Sequence, residues 1–286
     1  MARFNIKKAI IPLQLFLTSL FGSLGNGDPR NSDLPICSMC NVLGTKNAFQ
    51  TPEDSYRVYL ENFEEEAPFF SQSRQFADLH SFNVVADPDL GPNKVGRFEL
   101  RDSDPQVKRG TRAEVGFRTV EKELWYAYSI YFPVEGYESD NTPEIISQWH
   151  QLRGGSPPNA IQVENDEIYL RSICKGNGSG IDDHLFTNYT LGKVERGKWQ
   201  RFVFHLIHSP GDDGLIEIWL NGENIYNLNG PNMRKEFGLP YFKMGIYKWR
   251  WNDDSKTLTN RRILLFDDII IGNKEASLEK MAFVVK

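Results

Sequence analysis

The chain has 286 residues, enough to bury a substantial core in one large β domain or two small ones, and we expect one. Its formal net charge is −5 at pH 7. Nucleic-acid-binding proteins usually carry a basic excess, so the charge argues against a nucleic-acid partner. Any polyanionic partner has to be bound by a local basic patch.

The N-terminus has the layout of an export signal. Arg3, Lys7 and Lys8 precede a mostly apolar run that ends near residue 25. This run is too short and too interrupted to favour a membrane span. We therefore predict a signal peptide at residues 1–27, a secreted protein (extracellular or periplasmic), and no membrane partner after cleavage. An uncleaved anchor is the alternative.

Residues 28–60 are polar and rich in turn-forming residues, which predicts an N-terminal arm or linker. Cys37 and Cys40 form a C-x-x-C motif within it. A redox motif needs a helix start behind the pair, whereas Pro35 and Gly44 indicate a loop. We expect a local or long-range disulfide, with Cys174 as the third cysteine.

Residues 61–286 are predicted to form one all-β domain. Short strand-like runs recur between turn signals, almost no segment shows a helical period, and Asn221-Gly222 is typical of a two-residue hairpin turn. This spacing predicts a two-sheet sandwich, specifically a concanavalin-like jelly roll. The predicted strands cover residues 82–85, 96–101, 111–117, 124–132, 144–151, 160–173, 199–208, 215–220, 241–251 and 263–271.

Two early strands carry charges on one face. Arg97, Glu99 and Arg101 alternate with apolar residues, as do Arg112 and Glu114. A glutamate beside an arginine on one sheet face orients the guanidinium, which can then bind an acidic sugar. The alternative is a cross-strand ion pair on a solvated edge.

The strand at 144–151 places an amide and an imidazole on one face. Gln148 and His150 point the same way, and Trp149 points into the opposite layer. A single histidine of this kind is more often structural, but this pair is accompanied by an unusual strand later in the chain.

That later strand runs from Tyr241 to Trp251. Phe242, Met244 and Ile246 suit a buried face. The other face is polar, cationic and aromatic around a glycine, as expected for the floor of a sugar-binding groove. An aromatic strand covered by a loop is the alternative. The groove face contains Tyr241, Lys243, Gly245, Tyr247, Trp249 and Trp251.

Three motifs together resemble those of the polysaccharide lyases with a β-jelly-roll fold. They are Arg112-Ala-Glu114, Gln148-Trp149-His150 and the run from Tyr241 to Tyr247. The resemblance is strongest to the heparin lyase I and glucuronan lyase type, is more distant to alginate lyases, and spans roughly residues 60–275. Trp249 stands where the alginate enzymes have Gln, and Trp149 stands where they have Ile or Val. These differences argue against alginate as the substrate.

The resemblance implies β-elimination on a uronate polymer with a 4,5-unsaturated product. A positive group and an amide would neutralise the substrate carboxylate, His150 or Tyr247 would remove the C5 proton, and Tyr247 would protonate the leaving oxygen. Lys243 is expected to stabilise the Tyr247 phenolate. The catalytic candidates are His150, Tyr247, Gln148 and Arg112, and the substrate-binding candidates are Arg97, Lys243, Tyr241, Trp249, Trp251 and Arg153.

No cofactor is required by this mechanism. Related jelly rolls often carry a structural calcium, for which Asp267-Asp268 or Asp182-Asp183 are candidate ligands, although ordinary turn carboxylates are the alternative. The expected partner is an acidic polysaccharide, and the chain is expected to be a monomer.

Two other classes of function remain open at this stage. A glycoside hydrolase needs two carboxylates across the bond, and Glu164, Asp166 and Glu167 superficially suit that role, although their spacing does not keep all three on one face. A lectin-like module needs only stacking aromatics such as Tyr241, Trp249 and Trp251.

Overall fold

The computed structural model describes residues 55–152, 155–173, 186–253 and 256–282, which form two antiparallel sheets and one short helix, α1 (Leu278–Ala282). The strands are β1 (Arg57–Glu61), β2 (Ser73–Gln75), β3 (Phe82–Ala86), β4 (Lys94–Arg101), β5 (Arg112–Gly116), β6 (Glu123–Tyr131), β7 (Glu144–His150), β8 (Asn159–Glu164), β9 (Glu167–Ile173), β10 (Phe186–Lys193), β11 (Trp199–Ile207), β12 (Leu215–Leu220), β13 (Glu223–Asn229), β14 (Tyr241–Tyr247) and β15 (Arg261–Gly272).

The order of strands brings distant segments of the chain together. The eight-stranded sheet has the order β13-β12-β11-β6-β15-β4-β3, with β1 paired to β15. The seven-stranded sheet has the order β10-β9-β8-β7-β14-β5-β2. Strand β14 therefore lies between β5 and β7, so the three strands that carry the sequence motifs are neighbours. The predicted all-β jelly roll is confirmed.

Apolar side chains from both sheets fill the space between them. The Trp149 ring is buried, with its centroid 5.6 Å from that of Tyr126 and 5.1 Å from that of Phe204 in the opposite sheet. The hydroxyls of Tyr128 and Ser147 also form a hydrogen bond of 2.9 Å between the sheets. This packing confirms that Trp149 points inward, so Gln148 and His150 lie on the outer face of the seven-stranded sheet.

The observed strands differ from the predicted ones at several places. The segment 160–173 is a hairpin of β8 and β9, because Asn165 and Asp166 adopt φ values of 50° and 63° and reverse the chain. Strand β1 begins at Arg57, so the sandwich includes residues that the sequence assigned to the arm. The short edge strand β2 and the polar edge strand β10 were not predicted, since neither has a clear apolar alternation.

Several expectations concern residues outside the described ranges. They are the signal peptide, the arm before residue 55, the three cysteines, Arg153 and the pair Asp182-Asp183. Within the described ranges, no helix is long and apolar enough to cross a membrane.

The other candidate calcium ligands lie within β15 beside a buried arginine. Arg201 donates from Nη1 to the Asp268 carbonyl oxygen at 2.8 Å. Burial lowers the pKa of Arg201 to about 10, and the Asp268 and Asp267 carboxylates act in the opposite direction. Arg201 therefore places a positive charge near both residues, and their role as calcium ligands stays a prediction. No described group of three or more His, Cys, Asp or Glu side chains is arranged to hold a metal.

Candidate active site

A cleft of about 740 Å³ lies on the outer face of the seven-stranded sheet. Its lining includes Arg112 from β5, Gln148 and His150 from β7, and Tyr247 from β14. The structure therefore brings all four catalytic candidates to one cleft. Trp249, a substrate-binding candidate, also lines it.

The strand register explains why these side chains meet. Across β14 and β7, Lys243 lies opposite Gln148 and Tyr241 lies opposite His150. Across β14 and β5, Tyr247 lies opposite Arg112. Side chains that are directly opposite and on one face contact each other, so the register assembles the site from three strands.

Glu114 holds the centre of the site together. Its Oε2 accepts hydrogen bonds from Lys243 Nζ at 2.5 Å and from Arg112 Nη1 at 2.9 Å. Its Oε1 accepts one from Gln148 Nε2 at 2.5 Å. Glu114 is fully buried, and Lys243 is 1% exposed. The carboxylate therefore fixes the positions of two cations and one amide beneath the cleft.

The charge of this cluster favours an anionic ligand. Burial alone would raise the pKa of Glu114, but Lys243 and Arg112 hold it below its usual value, so the group is ionised. Two cations against one carboxylate leave a net positive charge at low dielectric, where a substrate carboxylate would be bound strongly.

The Arg112 guanidinium lies against the Tyr247 ring. Its central carbon is 3.9 Å from the ring centroid. Lys243 is instead bonded to Glu114, so the cation that contacts Tyr247 is Arg112 and not the predicted Lys243. Arg112 takes the place predicted for Lys243 beside Tyr247, because the strand register puts Arg112 directly across from Tyr247.

His150 is suited to accept a proton. Burial lowers its pKa, and the positive charge of Lys243 lowers it further. The imidazole is therefore neutral near pH 7. Its ring centroid lies 5.7 Å from that of the half-buried Tyr241, which supports the imidazole rather than lining the cleft.

The two polar atoms of the Gln148 amide differ in their hydrogen bonding. Its nitrogen donates to Glu114, and its buried Oε1 has no hydrogen-bond partner among the described residues. An unpaired buried acceptor is costly unless a ligand or water satisfies it. A donor group of a bound sugar would do so.

Gly245 is required by the strand itself. Its φ is +128°, and a Cβ there would lie 2.2 Å from the Ala113 carbonyl oxygen on β5. The sequence pattern predicted this glycine as part of the floor of a sugar-binding groove. The structure instead shows that a side chain here would collide with the neighbouring backbone.

The predicted groove strand is shorter than expected, and Trp251 does not reach the cleft. Strand β14 ends at Tyr247, and Trp249–Asn252 form a 3-10 turn. The fully buried Lys248 bonds Asp140 Oδ2 at 2.7 Å, which turns the chain inward. Trp251 consequently packs in the core, and its indole nitrogen donates to Thr257 Oγ1 at 2.9 Å. Its assignment to the groove was wrong.

Arg97 also lies away from the cleft. It belongs to β4 in the eight-stranded sheet, where Phe98 and Leu100 face the core and Arg97 faces outward. It bonds Glu99 Oε2 at 2.5 Å. Arg97 therefore pairs with a buried glutamate of its own strand and not across strands on a solvated edge, and of the two arginines it is Arg112 that lines the cleft.

Several residues of the cleft lining belong to turns and were not predicted as site residues. They are Lys108, Arg109, Asn252 and Asp253. Arg171 on β9 lines the cleft as well. Turn residues carry no periodic signal, so only their charge could have indicated them.

Comparison with known proteins identifies a family for this chain. The polysaccharide lyase family matches residues 61–270. No curated protein sequence matches the chain. Endo-β-1,4-glucuronan lyase from the fungus Trichoderma reesei has a TM-score of 0.62 and 17% identity, over 78% of this chain and 98% of that chain.

Two further solved structures have lower TM-scores against this chain. The receptor-binding domain of the botulinum neurotoxin C/D mosaic serotype has a TM-score of 0.50 and 13% identity, over 80% of this chain and 50% of that chain. The PL-14 alginate lyase from Aplysia kurodai has a TM-score of 0.49 and 15% identity, over 76% of this chain and 99% of that chain. Since the family match spans most of the sequence, the chain belongs to the polysaccharide lyase family.

Proposed function

We propose that this polysaccharide lyase cleaves a polymer of uronic acids by β-elimination. The observation that carries the proposal is the cluster of Arg112, Lys243 and Gln148 around the buried Glu114, in the same cleft as His150 and Tyr247. A positive, desolvated floor beside a neutral base is what elimination next to a carboxylate requires.

The first requirement is a more acidic C5 proton. When the uronate carboxylate lies against the positive cluster, its charge is offset and the developing enolate is stabilised. Arg112 and Gln148 supply the cation and the amide at the surface of this cluster. Lys243 does not line the cleft, unlike Arg112 and Gln148, and adds positive charge through its contact with Glu114.

The elimination then needs a base and an acid. The C5–H bond breaks as His150 or Tyr247 takes the proton, and its electron pair forms the C4=C5 double bond. The C4–O4 bond breaks, and O4 takes a proton from the Tyr247 hydroxyl. One tyrosine can serve both steps in a syn reaction, so the neutral His150 is either the base or the group that orients the substrate.

Glucuronan is the first substrate to test. The Trichoderma reesei enzyme that shares the fold is a β-1,4-glucuronan lyase. Among the described residues, four cationic side chains line the cleft, namely Lys108, Arg109, Arg112 and Arg171, which is compatible with uronates with or without sulfate. A polymeric substrate of this kind also suits a secreted enzyme, as the N-terminal sequence predicts.

The rival functions receive less support from the described residues. Asp166 lies in the β8–β9 turn and bonds Arg196 at 2.5 Å, away from the cleft lining. Among the described residues of that lining, Asp253 is the one carboxylate, so a pair of catalytic acids is not present there. Trp251, one of the stacking residues of a lectin-like reading, is buried.

Ultraviolet absorbance of the conjugated product tests the proposal. The protein should be mixed separately with glucuronan, heparin, heparan sulfate and alginate. We expect absorbance to grow with glucuronan, and a Tyr247→Phe variant at equal concentration serves as the control. No growth with any of the four polymers would contradict the proposal.

A further inference from the structure

A two-residue turn carries adjacent cations at the edge of the cleft. Val107 and Gly110 exchange backbone hydrogen bonds of 2.9 and 3.1 Å. Between them, Lys108 and Arg109 have φ values of 49° and 64°. Two consecutive positive φ values are the signature of a type I′ turn, for which Asn-Gly is preferred. Long cationic side chains are unfavourable there, so a reason other than folding must favour them.

The base of the turn packs against the catalytic pair. A Cβ on Gly110 would lie 2.5 Å from Arg112 Nη2 and 2.7 Å from Tyr247 Cε2. The Thr111 amide donates to Asn252 Oδ1 at 2.6 Å. The turn is therefore fixed directly beside the reacting centre, while both residues at its tip are exposed.

The tip is positively charged and lines the cleft. Neither Lys108 nor Arg109 forms an ion pair within the described part of the chain, and Lys108 has a single contact of 3.4 Å to Ser73 Oγ. Both residues line the same cleft as Tyr247, so they are placed to contact a neighbouring sugar of a bound polymer. Asp253 is the one carboxylate among the described residues of the lining, so the two cations of the turn leave a net positive charge for a second anionic group.

We propose that Lys108 and Arg109 bind the carboxylate of the sugar adjacent to the one that undergoes elimination. This inference rests on the proposed function and narrows its substrate class. The enzyme should prefer polymers with a carboxylate on consecutive sugars over polymers in which uronates alternate with neutral sugars. The unfavourable turn persists because the pair selects the substrate.

A double substitution separates the charge from the turn. Lys108→Asn with Arg109→Gly installs the preferred type I′ sequence and removes both charges. We expect an equal or higher thermal transition, a rise in KM for poly-β-1,4-glucuronate of about fivefold or more, and kcat within about twofold. The salt dependence of kcat/KM should weaken. Lys198→Asn, which removes a 70% exposed charge outside the cleft lining, should leave KM unchanged.

Two comparisons decide the inference. With a polymer in which glucuronate alternates with N-acetylglucosamine, the double variant and the parent should differ much less than with poly-β-1,4-glucuronate. Unchanged KM and salt dependence for the double variant would overturn the inference and leave the elimination proposal intact.

Calorimetric binding in a Tyr247→Phe background provides a test without turnover. Weaker binding of poly-β-1,4-glucuronate after the double substitution supports the inference, and equal binding overturns it. Absence of unsaturated product from the parent enzyme would instead overturn the proposed function, so the two failures are distinguishable.

Discussion

Glu114 is fully buried, yet three side chains of the site depend on it. The sequence could predict that Glu114 shares a face with Arg112, because residues two apart in a strand point the same way. It could not predict that Lys243 and Gln148 converge on the same carboxylate, since those contacts depend on which strands are neighbours. The contact of Arg112, and not Lys243, with Tyr247 also depends on which strands are neighbours.

Replacing Glu114 by Gln should destabilise the protein and the site together. The variant leaves two buried cations without a countercharge, and breaking a buried ion pair from one side typically costs about 3–5 kcal/mol. Urea unfolding measures this loss. Glu167→Gln, at an exposed position on β9, is the control and should change stability little. A Glu114→Gln variant as stable as the control would contradict the central role of Glu114.

The His150 imidazole should set the acidic limb of the pH–rate profile. Because burial lowers its pKa, the neutral, proton-accepting form persists to lower pH than for an ordinary histidine. We expect kcat/KM to remain high at pH 7 and to fall only below about pH 6.5. Rates measured in buffers of constant ionic strength check this. A limb centred above that value would show that His150 is not the group that titrates.

At the scale of the elements, β14 carries the most specific motif and shows both the success and the limit of sequence reasoning. Alternation of apolar and polar residues predicted the strand correctly up to Tyr247. The end of the strand depends on Lys248, whose partner Asp140 is remote in sequence. A lysine that follows an alternating strand is normally expected to be solvent-exposed. The burial of Lys248 could therefore not be predicted, and neither could the inward position of Trp251.

Substituting Gly245 should disrupt β14 more than its backbone angle alone requires. Gly245→Ala places a Cβ 2.2 Å from the Ala113 carbonyl oxygen, in addition to the positive φ. We expect a loss of stability on the order of 3 kcal/mol or more, with reduced kcat because Tyr247 shifts. Thermal unfolding and kinetics measure the two effects.

Gly222 offers a matched control for that substitution. Its φ is +85°, and a Cβ there would meet nothing within 4 Å. Gly222→Ala should therefore cost only the strain of the left-handed backbone, about 1–2 kcal/mol. Equal losses for the two variants would show that the contact with β5 is unimportant.

For the molecule as a whole, the sandwich was predictable because nearly every strand buries one face against the opposite sheet. The sequence could not assign strands to sheets, and for that reason Arg97 was placed in the groove although β4 belongs to the other sheet. The edge strands β2 and β10 are short or polar, and edge positions require little apolar pattern.

His208 should make the whole fold sensitive to mild acid. The imidazole is 1% exposed, and neither ring nitrogen has a partner among the described residues. Burial lowers its pKa to about 3, so the unfolded chain binds a proton first as the pH falls below about 6.5. The free energy of unfolding should then decrease by about 1 kcal/mol for each pH unit between 6.5 and 5.

Between pH 6.5 and 5 the ionised carboxylates contribute little to this slope, because their pKa values in the unfolded chain are lower. His150 contributes in the same direction, since its pKa is also lowered. His208→Leu should therefore flatten the slope without removing it. Chemical unfolding at several pH values measures it, and an unchanged slope in the variant would assign the acid sensitivity elsewhere.

The sharpest test of β-elimination by this enzyme is cleavage of glucuronan in ¹⁸O-labelled water, followed by mass spectrometry of the products. Elimination breaks the C4–O4 bond without adding water, so we predict unsaturated oligosaccharides that carry no label. We also predict that Tyr247→Phe reduces their formation by about 10²–10⁴-fold without changing the thermal transition. Saturated products carrying ¹⁸O, or full activity in Tyr247→Phe, would contradict this mechanism.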